Sequence, residues 1–182
     1  YWAYQSTPVA QAYARDAIKL ILKHYEGYIH GDNTYLNEIM FASNLAGRAI
    51  NISATTAPHA MSYMITSLKG VAHGHAVALT LPFVFEVMVN ELDDLDSKLS
   101  KEEIRIRFTS LANVFGLKDY KELVPVLHEV YASFDMERPF ITSSELQTLV
   151  SSVNPERLGN NPLIFTTATL EKIYRLALSI KD

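Results

Sequence analysis

Apolar positions in this chain recur at three- and four-residue spacing along most of its length, so the predicted elements are helices. Thr7 and Pro8 supply an N-cap and a proline at a first helical position. Val9, Ala12, Tyr13, Ile18, Ile21, Leu22 and Tyr25 then form one stripe, which predicts a helix over about 8–26 that stops at Gly27. Asp32 or Asn33 caps a second helix marked by Leu36, Ile39, Met40, Ala46 and Ile50, and its small residues let a neighbour approach closely. Pro58 opens a third helix that runs to about Leu68 and ends at Gly70. A very apolar fourth follows Gly74 as far as about Leu92, with a bend expected at Pro82.

Beyond the acidic turn at Asp93, Asp94 and Asp96, Ser100 to Glu103 match a capping box, opening a helix that ends near Gly116. Further amphipathic helices are predicted over about 119–134, 143–152 and 167–180, the last following a turn-rich segment from Asn154 to Pro162. No alternating pattern exceeds Leu163 to Thr166. The expected fold class is all-α, about eight helices in a single helical domain over 1–182, without internal repeats.

Charge sharpens this picture. Lys69 is the only Asp, Glu, Lys or Arg between Arg48 and Glu86, so the two helices in that stretch form the centre of the molecule. The same stretch carries His59, His73 and His75 with Thr55, Thr56, Ser62, Thr66 and Ser67. Polar groups in a buried segment need partners or a chemical task.

Composition then narrows the chemistry. The 182 residues have a formal net charge of −4, which leaves no basic footprint for nucleic acid or an anionic membrane. No cysteine is present, which excludes disulfides, a thiolate nucleophile and cysteine-ligated metals; any metal must sit on His, Asp or Glu. The chain opens on Tyr1 without a signal-peptide pattern, as expected of a piece of a longer or processed protein. Its most apolar run, Ala76 to Val89, is interrupted and shorter than the ~20 residues of a membrane span, so a soluble, cytoplasmic chain is expected.

Chain reach tests whether the histidines converge. A helix over 59–68 advances roughly 13 Å. The five steps from Leu68 to His73 extend up to ~17 Å, and Gly70 permits the reversal. His73 can return beside His59. Two imidazoles make half of a metal site, since such sites take three or four protein ligands. His75, two residues on, points elsewhere, and Asp32, Glu38 and Glu86 have no spacing that aims them at the pair. No histidine is followed by aspartate, and there is no Gly-x-Ser-x-Gly, Gly-x-Gly-x-x-Gly or P-loop.

Ala57-Pro58-His59-Ala60-Met61-Ser62-Tyr63 and Gly70-Val71-Ala72-His73-Gly74-His75 through Leu81-Pro82, preceded by Asn44-Leu45-Ala46-Gly47-Arg48, resemble the C-terminal helical domain of iron-dependent (group III) alcohol dehydrogenases. The resemblance covers essentially the whole chain. It implies that His59 and His73 are metal ligands for Fe²⁺, or Zn²⁺ in glycerol dehydrogenase and dehydroquinate synthase relatives. The remaining Asp and His ligands and a Rossmann-like NAD(P) domain would precede Tyr1. It also implies hydride transfer between the nicotinamide and a small aldehyde or alcohol, in a homodimer or larger oligomer. Many members carry a second histidine where this chain has Tyr63, a catalytic position at which tyrosine is a hydrogen-bond donor and a weaker base. The wording, with Asn154 to Pro162, is most similar to members that reduce phosphonoacetaldehyde. His75, Arg48 and Lys69 are then substrate-facing candidates. Absent a metal role, the histidines read as hydrogen-bonded core residues of a non-enzymatic binding or assembly domain.

Overall fold

A computed structural model describes residues 1–181, and the chain is all-α, with two two-residue strands forming the only sheet among the described residues. The backbone divides into two compact units, one of Tyr1–Ala54 with Glu102–Leu123, the other of Thr55–Lys101 with the chain from Val124 onward.

In the first unit α1 (Pro8–Ile29) and α2 (Leu36–Ser53) pack along one another, joined by a single 3-10 turn, Asn33–Tyr35. The Thr7 cap forms as expected, its side chain accepting from the Ala10 amide. Gly27 does not end the helix. A Cβ there would lie 2.4 Å from the Tyr35 ring, so the glycine serves close approach, and α1 runs on until Gly31 takes a left-handed φ of 87°. α5 (Lys101–Val114) completes this unit, with Phe108 fully buried against the edge of Trp2.

The second unit is built on α3 (Ala57–Lys69) and α4 (His73–Asn90). Gly70 caps α3 with φ 69°, the left-handed conformation that reverses the chain into α4. α4 buries Phe83, Val84 and Phe85 in succession, so it has no solvent face in that turn. For α4 this is the burial expected from the missing charges. The helix continues through Pro82, which cannot donate to the Ala78 carbonyl. α6 (Leu123–Ala132), α7 (Ser143–Ser152), the short α8 (Pro155–Leu158) and α9 (Thr167–Ala177) follow. α9 is tied to α3 by the buried Tyr174 hydroxyl, which donates to the Met61 carbonyl at 2.8 Å; burial pushes that hydroxyl's pKa up.

Two local departures stand out. The last helix ends at Ala177 and not near 180, because β2 (Ser179–Ile180) pairs in parallel with β1 (Phe140–Ile141). Leu163 to Thr166 is not a strand; Leu163 makes one isolated antiparallel bridge to Ser97. Among the described residues no helix is long and apolar enough to cross a membrane.

Candidate metal centre

His59 is the third residue of α3 and His73 the first of α4, so the Gly70 reversal sets them on facing ends of two packed helices. His59 Nδ1 and His73 Nε2 lie 3.2 Å apart, with ring centroids 5.3 Å apart. Two nitrogens on one tetrahedral metal with bonds of about 2.0–2.1 Å would be separated by about 3.3 Å. The spacing suits a shared cation. Burial, and then the neighbouring His73, hold His59 below the ordinary histidine pKa, which favours the neutral, ligating form.

Ser62, buried on α3, sets the tautomer of His73. Its hydroxyl donates to the His59 carbonyl at 2.9 Å, and its oxygen lies 3.2 Å from His73 Nδ1. Since the one hydroxyl proton goes to a carbonyl, Oγ accepts from Nδ1–H, and the lone pair of His73 is left on Nε2, facing His59. A hydrogen bond of this kind orients a ligating histidine, and losing it typically weakens metal binding about 10–100-fold. Ser62→Ala in the full-length protein is expected to weaken metal affinity by about that factor, read by competition with a chelator, with little change in the unfolding midpoint.

Tyr63 lies beside this pair, its ring 5.2 Å from that of His73, and the Arg157 guanidinium carbon stands 4.2 Å from the centroid of the Tyr63 ring. The structure thus brings His59, His73 and Tyr63 together. His75 turns away as the spacing predicts; its Nε2 donates to the Glu137 carbonyl at 2.9 Å. Lys69 is occupied by Glu145 at 2.6 Å, a pairing that, together with the Thr142 amide, holds the Glu145 carboxyl below its usual range. Arg48 belongs to the first unit, where it stands over the Tyr13 ring. Among the described residues no group of three or more His, Asp or Glu side chains could hold a metal ion.

Sequence reasoning named Ser62 only as a polar group in need of a partner, and it missed Arg157 within the Asn154 to Pro162 run. The one available signal was a lone arginine between two Asn-Pro pairs.

Residues 1–178 match the family described as "Fe-containing alcohol dehydrogenase family, C-terminal". The chain belongs to that family. It is 26% identical over 129 residues to an alcohol dehydrogenase of Thermococcus barophilus, covering 71% of this chain and 31% of that protein. A phosphonoacetaldehyde reductase of Streptomyces viridochromogenes is 32% identical over 82 residues, covering 44% of this chain and 21% of the other. The solved iron-containing alcohol dehydrogenase of Thermotoga maritima superposes with a TM-score of 0.79 at 30% identity, covering 98% of this chain and 45% of that one. The chain therefore spans less than half the length of these Fe-containing alcohol dehydrogenase relatives.

Proposed function

We propose that this chain is the metal-binding and substrate-binding helical part of an NAD(P)-linked alcohol dehydrogenase or aldehyde reductase, with His59 and His73 as two ligands of its metal. The observation that carries this reading is the 3.2 Å approach of the two ring nitrogens across the Gly70 reversal. The donor set fits a divalent cation, and Fe²⁺ is the metal we assign, with Zn²⁺ the alternative that nitrogen ligands also accept. When bound, such a metal supplies Lewis-acid polarisation of a carbonyl oxygen, and a nicotinamide held outside this chain supplies the hydride.

The chain's own side chains divide the remaining work. His59 Nδ1 and His73 Nε2 face one another, Ser62 keeps the His73 lone pair on Nε2, and a cation between the rings would take the place of the hydrogen they share. Tyr63, 44% exposed, makes no hydrogen bond through its hydroxyl among the described residues. That hydroxyl is free to donate to a substrate oxygen. Small aldehydes are the substrate class, with phosphonoacetaldehyde a specific candidate supported by the Streptomyces relative.

The direct test is metal analysis of the purified full-length protein together with a coenzyme-linked assay. About one metal per subunit is expected, with aldehyde-dependent oxidation of NADH or NADPH that is lost on chelation and restored by Fe²⁺. Zinc as the restoring metal would assign the glycerol dehydrogenase type. A protein that takes up no metal and reduces no aldehyde would leave the two histidines as hydrogen-bond partners in a binding domain.

A further inference from the structure

We infer that Arg157 is the anchor for an anionic group on the substrate, which makes this site selective for short aldehydes that carry an oxyacid substituent; the inference rests on the metal-centre reading above. Three observations converge on it. The first is position. Arg157 stands on Tyr63 at 4.2 Å and Tyr63 on His73 at 5.2 Å, so the guanidinium is no farther from the His73 ring than those two contacts laid end to end. A two-carbon aldehyde with an oxyacid on its α carbon spans about 4–5 Å from carbonyl oxygen to anionic oxygen at bond lengths of about 1.2–1.8 Å. With a charge-assisted hydrogen bond of about 2.8 Å added, the span is about 7–8 Å, commensurate with the separation that those two contacts cap.

The second observation is charge. Arg157 makes no ion pair among the described residues, and its exposed neighbour Glu156 is not within bonding distance of it. The other cations of this unit near these elements are occupied: Lys69 by Glu145, and Lys98 by the Gly159 carbonyl. Stacking uses a face of the guanidinium and leaves its edge N–H groups to receive two oxygens of one anion, a geometry lysine does not reproduce.

The third is anchorage. Asn154 caps α8 by accepting from the Glu156 and Arg157 amides at 2.9 and 3.1 Å. Just beyond, Asn160, buried, donates to the Thr55 carbonyl at 2.8 Å, and Asn161, also buried, donates to the Leu163 carbonyl at 2.8 Å. Backbone bonds from Lys98 to Pro162 and from Ile164 to Asp96 close the segment from the other side. The arginine is held on a fixed backbone, which limits the ordering cost of gripping a ligand.

The test compares phosphonoacetaldehyde with acetaldehyde in the full-length enzyme and adds calorimetric binding of ethylphosphonate, which has the anion but no aldehyde. R157Q is expected to raise KM for phosphonoacetaldehyde about 10- to 100-fold and to abolish measurable ethylphosphonate binding, with a far smaller change in KM for acetaldehyde. R157K should recover part of the KM, having the charge without the fork, and serves as a second folded variant. Equal losses on both aldehydes would mean that Arg157 only packs Tyr63, and an unchanged KM and unchanged ethylphosphonate binding would remove it from the substrate site; either result overturns the inference. If the parent protein reduces no aldehyde and holds no metal, the proposed function fails instead, and the ethylphosphonate titration alone still decides whether Arg157 is an anion anchor.

Discussion

His73→Ala in the full-length protein is expected to reduce bound metal to background and kcat/KM by about 10³-fold or more, since a metal supplies several kcal/mol of transition-state stabilisation and each 1.36 kcal/mol is tenfold. The size of the loss follows from how little could replace the imidazole. Among the described residues no third His, Asp or Glu stands beside the pair. Ser62 has given its proton to the His59 carbonyl and offers only a neutral oxygen, a poor ligand next to a neutral nitrogen. Tyr63 is packed against the very ring that is removed. Metal content by mass spectrometry and coenzyme-linked turnover would be measured on the same preparation. A variant that keeps its metal would exclude His73 as a ligand and return the pair to the role of core hydrogen-bond partners.

Phe85→Ala carries the largest expected cost in stability, about 3–5 kcal/mol. Phe85 is completely buried in the turn of α4 where its neighbours Val84 and Phe83 are buried too, so no face of the helix can shift outward to fill the space. Of the total stability of a natural domain, about 5–15 kcal/mol, that is a large share. Denaturant titration should show a lower midpoint with an unchanged slope, the sign of a native state that is weaker but equally compact. A loss below about 1 kcal/mol would contradict the placement of α4 at the centre of its unit.

Most of this fold was legible because its signals are local. Pro58, Gly70 and the stripe between them bound α3 within two residues, and the absence of charge around α4 announced its burial. Chain reach across Gly70 also foretold the approach of His59 and His73, since only fourteen positions separate them. The misses share a cause. Gly27 looks like a stop until Tyr35, from another element, is seen to need its missing side chain. The end of α9 depends on Phe140 and Ile141 pairing with residues almost forty positions later, and two-residue strands carry no periodicity. Arg157 meets Tyr63 across ninety-four positions, a distance over which composition and spacing are silent.

The brevity of the Gly70 turn has one last implication. Because both imidazoles are delivered by neighbouring helices within one folding unit, the entropy of closing the loop between them is small and is spent when the polypeptide collapses. If the proposed metal role holds, an incoming ion would meet two imidazoles already side by side, and this half of its coordination sphere would add affinity with little reorganisation of the chain.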